Sequence, residues 1–382
     1  MQAHRLNAHF SSLLFLPFLL FSACAEDDKD ESPNIPSADV NLEIEATTDT
    51  QGRATMSFIS GVDINKIAIT AEGPSGSEVR FTQVRGGSDS FLGPRGEIIS
   101  LSGEPLPFSN TVSIPSRSVD PQLQANTRFD VAVEISGVGN ANSNSRVQFY
   151  VTSRKDTNLR SGSMRMNIFY VGEIGAESST KSAVQEALRE ARNILSSSAG
   201  ISLVVEEFDI DGPTTVTAPF TGDNLYLNAT RQASSPAVNT FIVGDIRGSG
   251  SGSVLGIAGG IPGPAIPSRK SAVAISIFTA AGIDGFFDQD DLFILGETIA
   301  HEAGHQMGLF HPIDFSGSEV SGVDPLSDTP ECSFRTQCVN NEALATNLMY
   351  PNPLVDNTGR TIRQNRLSED QRGVLNRYIA VD

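Results

Sequence analysis

Between residues 39 and 157 the hydrophobic and polar positions alternate with the period of two that a half-buried strand requires. The runs VNLEIEA, ATMSFIS, KIAITAEG, EVRFTQV, NTVSIP, RFDVAVEI and RVQFYVTS are rich in β-branched and aromatic residues, and clusters of Gly, Pro, Asn, Asp and Ser separate them. No long amphipathic helix interrupts the series, so the pattern predicts an N-terminal all-β, sandwich-like domain over 39–157. No constellation of reactive side chains lies in this stretch. A structural spacer, a carbohydrate- or protein-binding module, and a pro-domain that covers a site are the roles that fit it.

Polar SRKDTNLRSGS, residues 153 to 163, marks the boundary. Beyond it strand and helix patterns alternate, which predicts a second domain of α/β (α+β) type over 158–382. MRMNIFYVG reads as a strand and STKSAVQEALREARNILSSSAG as a helix. The helix has Ser179 or Thr180 as N-cap, an apolar stripe of Val184, Ala187, Leu188, Ala191 and Leu195, and Gly200 as terminator. ISLVVEEFDI, VNTFIVGDI and SAVAISIF are further strands. The glycine-rich RGSGSGSVLGIAGGIPGP lacks both the Gly-Lys-Ser/Thr ending and the G-x-G-x-x-G register of nucleotide loops. It predicts a loop leading to an exposed edge strand around Val254 to Ala258, with no nucleotide partner. LFILGETIAHEAGHQMG reads as a helix capped by Asp290 or Asp291, and LSEDQRGVLNRYIA as a last helix with Ser368 as N-cap.

The first 23 residues change the picture of where the chain works. A short polar start with Arg5 precedes an apolar run too short for a comfortable membrane span, followed by small residues, which predicts an export signal. Phe21, Ser22, Ala23 and Cys24 resemble a bacterial lipobox, making Cys24 the candidate lipidation site and residues 24–38 an acidic tether; cleavage after Ala25 is the alternative. The expectation is an exported protein, anchored by lipid at the cell envelope or secreted. Cys332 and Cys338 are then expected to form one disulfide. Two free thiols are the alternative, and a zinc knuckle would lack a third cysteine or spare histidine. A formal net charge of −18, from 27 basic and 45 acidic residues, argues against a nucleic-acid partner. Calcium finds little support, because DGFFDQDD lacks the spacing of an EF-hand loop.

The candidate chemistry lies in HEAGHQMGLFH, residues 301 to 311, which holds every histidine outside the export segment, where His4 and His9 lie. His301 and His305 are four apart on the predicted helix, so they project from one face, and Glu302 points to where a metal-bound water can stand. On a straight helix His311 would lie about 15 Å beyond His301, too far for a shared ion whose nitrogen ligands sit about 2.0 to 2.1 Å from it. The chain must break, and Gly308 is the residue able to take the left-handed conformation that ends a helix. The spacing therefore predicts three imidazole ligands on one zinc ion, with Glu302 as general base.

Together with Met349 and Tyr350 in TNLMYPNP, this motif resembles the metzincin clan of zinc metallopeptidases. Leu348 to Pro351 is similar to the turn of the matrixins, Pro312 to serralysins, and DTPEC (328 to 332) to pappalysin-like bacterial members. The resemblance spans roughly residues 160 to 382. It implies a twisted mixed sheet, a backing helix and a zinc helix above a smaller lower subdomain that ends in a helix, with a Met-turn between. It further implies that Met349 is a hydrophobic floor beneath the zinc. Tyr350 follows the methionine by one residue, where clan members with a tyrosine ligand have it at two, and receives no such role. No cysteine lies between Cys24 and Cys332 to serve a matrixin-type latency switch. The function expected is hydrolysis of peptide bonds in protein or peptide substrates. The rivals are a surface lipoprotein binding module with a latent or inactive peptidase domain, and a structural zinc protein; the latter would need a fourth protein ligand. A serine or cysteine triad would need a histidine outside the motif, and none remains.

Overall fold

The alternating segments near the N-terminus are strands in the computed structural model of the protein, which describes residues 40–92, 106–137, 143–156, 158–217, 225–247, 254–281 and 285–382. The expected export signal, Cys24 and the expected acidic tether lie outside the described residues. One antiparallel sheet orders Val40–Thr47, Arg146–Arg154, Lys66–Glu72 and Ser109–Ile114. The other orders Arg53–Ile59, Arg128–Ser136, Glu78–Gly86 and Asp89–Ser90, with Leu106–Pro107 also paired to Glu78–Gly86. Alternate residues point inward from each sheet, so Ala54, Met56 and Phe58 meet Ile67, Ile69 and Ala71 in one apolar core.

Lys66–Glu72 breaks the alternation, since Lys66 to Ala71 are all buried. Ile67 and Ile69 belong to the sandwich core, whereas Ala68 packs into the core of the C-terminal region. This sheet is therefore covered on both faces, one of them by the rest of the molecule.

After residue 158 a five-stranded sheet orders Ile201–Ile210, Gly162–Val171, Val238–Val243, Val273–Ser276 and Gly256–Ala258. The first four are parallel and the last is an antiparallel edge. Parallel neighbours need a crossover, and the helix Ser178–Ile194 supplies the first, burying Val184, Ala187, Leu188 and Ala191 against the sheet. A π-helical turn, Leu195–Ala199, extends it to Gly200, which takes φ +72°. Its N-cap is Glu177, not Ser179 or Thr180: Glu177 is the last extended residue, and the Thr180 hydroxyl, already one turn into the helix, donates to the Glu177 carboxylate at 3.0 Å.

The helix carrying the histidine motif, Gln289–Gln306, packs in the same core as Ser178–Ile194. Asp288, the residue immediately before the helix, caps it in place of Asp290 or Asp291. The Asp288 carboxylate accepts from Asp291 N–H at 2.9 Å and the Asp291 carboxylate accepts from Asp288 N–H at 3.0 Å, a reciprocal capping box. The chain then forms the hairpin Ile313–Ser316 with Glu319–Val323, two short helices, a second hairpin and the last helix Glu369–Arg377. Ser368 caps that helix, reciprocally with Gln371. Cys332 and Cys338 are joined by a disulfide, beside a small core of Ile313, Leu344 and Tyr350.

Candidate metal centre

The motif helix ends where the sequence demands a break. Gly308 N–H donates to His305 C=O and Leu309 N–H to Gly304 C=O, both at 2.9 Å, with Gly308 at φ +111°. These are the paired bonds of a Schellman ending, and they reverse the chain within three residues. His311 thereby returns to the face that carries His301 and His305.

The Nε2 atom of His311 lies 3.1 Å from that of His305 and 3.3 Å from that of His301. Each ring's other nitrogen has an acceptor. His301 Nδ1 donates to Leu348 C=O at 2.7 Å, His305 Nδ1 to Leu309 C=O at 2.7 Å, and His311 Nδ1 to the Asp314 carboxylate at 2.9 Å. In a neutral ring, an acceptor at Nδ1 fixes the tautomer whose Nε2 carries a lone pair. Burial, reinforced by His311, pulls His301 down to about 3, and burial likewise holds His305 well below the ordinary imidazole value. Both are thus neutral, as ligands must be.

Three converging lone pairs repel one another unless a cation stands among them. Two bonds of about 2.0 to 2.1 Å at the tetrahedral angle place their nitrogens about 3.3 to 3.4 Å apart, close to the spacing found here. The donor set therefore fits zinc, with three protein ligands and one open position.

Glu302 is buried beside this cluster, and burial pushes its carboxyl up to about 8 despite a hydrogen bond from Ala258 N–H. The bond follows from the register of the edge strand. Ser276 N–H donates to Leu255 C=O and Gly259 N–H to Ala272 C=O, so residues 255, 257 and 259 face the sheet while Gly256 and Ala258 turn their backbone groups outward. Edge strand and motif helix form opposite walls of a cleft of about 620 Å³, which Leu348 to Pro353 close on the far side. Described residues of the N-terminal sandwich take no part in its lining.

Beneath the histidines lies the turn containing Met349, which is fully buried with its sulfur against Gly304. Asn347 shapes this turn: its side chain accepts from Met349 N–H at 2.9 Å and donates to Gln371 of the last helix at 2.9 Å. Leu348 C=O is thereby aimed at His301. The Tyr350 ring packs toward Phe315, and the residue also lines the cleft.

Sequence reasoning missed Asp314, Asn347 and Gly256. A carboxylate three residues after the last histidine was a usable signal for Asp314; Asn347 and Gly256 carry none that a single chain displays.

No family model matches the chain, and no curated protein matches it. Among solved structures, an archaemetzincin from Methanopyrus kandleri is similar over 56% of this chain and 88% of its own, at 15% identity and a TM-score of 0.28. Metalloproteinase-II from Bacteroides fragilis is similar over 63% of each chain, at 14% identity and a TM-score of 0.30.

Proposed function

We propose that the chain is an exported zinc-dependent endopeptidase of the metzincin type, with matrixin- and pappalysin-like features. The observation that carries the reading is the convergence of three imidazoles, each oriented by its own acceptor, next to a buried carboxylate and the edge strand of the sheet.

His301, His305 and His311 would hold the ion. When bound, zinc supplies Lewis acidity, polarising a carbonyl and making a water easier to deprotonate. Glu302 accepts the proton as the water oxygen bonds to the scissile carbonyl carbon, and passes it to the departing amine nitrogen as the C–N bond breaks. Its raised affinity for a proton suits both halves of that transfer. Gly256 offers outward backbone groups with which an extended peptide can pair, placing its carbonyl beside the histidines. Met349 gives the cluster an apolar floor. The lipid anchor at Cys24 belongs to the same proposal and rests on the lipobox-like sequence alone.

The test compares wild type with Glu302→Gln for zinc content and for cleavage of casein and a peptide library. About one zinc per chain in both is expected, with turnover lower by about 10²- to 10⁴-fold in the variant. Zinc in both and cleavage by neither would sink the peptidase reading and favour a binding protein with a latent domain.

A further inference from the structure

The sandwich and the metal-bearing region meet through a buried, polar seam. Lys66 is 1% exposed and donates to the Asp156 carboxylate at 2.5 Å and to Val381 C=O at 2.8 Å, tying the first strands to the chain's last residues. Arg269 donates to Ser75 Oγ at 2.9 Å at the opposite end. Between these points Ala68 enters the core of the C-terminal region. Buried polar pairs of this kind are costly to expose one partner at a time, which is unlike a cover built to be shed.

One part of the seam reaches the metal centre. Val112 and Ile114 point into the sandwich core, so Ser113 between them faces the other way. Ser113 and Ser116 abut Pro262, Met307, Gly308 and Val374 around a void of only about 10 Å³, too small to absorb a larger side chain. Gly308 is the residue whose turn returns His311 to His301 and His305.

We infer that the sandwich is a permanent brace of the metal centre, in which strand Ser109–Ile114 fixes the Gly308 turn and thereby the placing of His311. Its role is positioning, and no described residue of the sandwich lines the cleft. The inference rests on the reading of the three histidines as metal ligands, and on no claim about turnover.

The experiment uses the full chain. Zinc affinity is measured by chelator competition for wild type, Ser113→Ala and Ser113→Phe, with circular dichroism to establish folding. Ser113→Ala is expected to bind as wild type, and Ser113→Phe to bind about tenfold more weakly or worse, as when a group that orients a ligand is lost. A folded Ser113→Phe with wild-type affinity would overturn the inference. In a second measurement, a site-specific protease sequence inserted between Leu159 and Arg160 is cut after folding. The two pieces are expected to co-elute in gel filtration with zinc affinity unchanged; spontaneous separation would overturn the inference even if Ser113→Phe failed to fold. Tight zinc binding without any cleavage of peptides would count against the peptidase reading and leave this one standing.

Discussion

Glu302 occupies the space in which a side chain on Gly256 would begin: a Cβ there would stand 2.5 Å from Glu302 Cγ and 2.9 Å from its Oε1. The edge strand can approach the buried carboxylate only because it lacks a side chain at that position. Gly256→Ala should therefore displace the carboxylate by a fraction of an ångström or more while leaving the three imidazoles in place. The expected outcome is kcat lower by about 10- to 100-fold with zinc content unchanged, since misplacing a reacting group by about 1 Å costs on that order. Steady-state kinetics with parallel metal analysis reads it, and an Ala variant at full kcat would show that Glu302 is not the proton carrier.

Asp314 tests the orienting network from outside. Its carboxylate side chain is 60% exposed and its one described partner is His311 Nδ1, so removing it disturbs little besides that ring. Asp314→Ala is expected to weaken zinc binding by about 10- to 100-fold and to hasten metal loss to EDTA, the usual cost of losing an orienting acceptor. The thermal midpoint of the metal-free protein should stay within a degree or two. An unchanged dissociation constant for zinc would mean that His311 is held by its backbone alone.

Asp324 predicts a pH dependence of stability. It is 7% exposed; Thr329 Oγ1 and Leu326 N–H both donate to its Oδ1, while Oδ2 is buried without a partner. Burial pushes its carboxyl from 3.8 up to about 6. The folded state therefore holds the proton more tightly than the unfolded one, and stability falls as pH rises from about 4 to about 6 as that proton is lost. Asp324→Asn should match wild type near pH 3.5 and exceed it above pH 6.5 by up to about 3 kcal/mol, at 1.36 kcal/mol per pKa unit. Chemical denaturation at both pH values decides it; a gap of equal size at both would mean the carboxyl is not titrating in that window.

Much of this was legible in the chain because the relevant forces are local. Alternation located the seven longer sandwich strands to within a residue or two but not the two-residue strands Asp89–Ser90 and Leu106–Pro107, and the 3.6-residue pattern located both long helices. The caps were misplaced by a residue or more at Glu177 and Asp288, because several carboxylates and hydroxyls in a row can each satisfy the first turn. Which one does so depends on where the preceding loop delivers the chain.

The sequence by itself marked the three candidate ligands: His301 and His305 share a helix face, and helix pitch requires a chain reversal, for which Gly308 is suited, before His311 can join them, as it does in the structure. Tertiary structure alone decided what surrounds that set. Leu348 C=O acts through backbone position and Gly256 through absence of a side chain, while Asn347 acts through side-chain bonds to Met349 N–H and to Gln371, 24 residues away; a backbone carbonyl looks alike at every residue of a sequence. Only folding could show that the second face of Lys66–Glu72 is buried against the C-terminal region, since the composition of that strand is compatible with solvent on one side and the partner residues, Asp156 and Val381, lie 90 and 315 positions away.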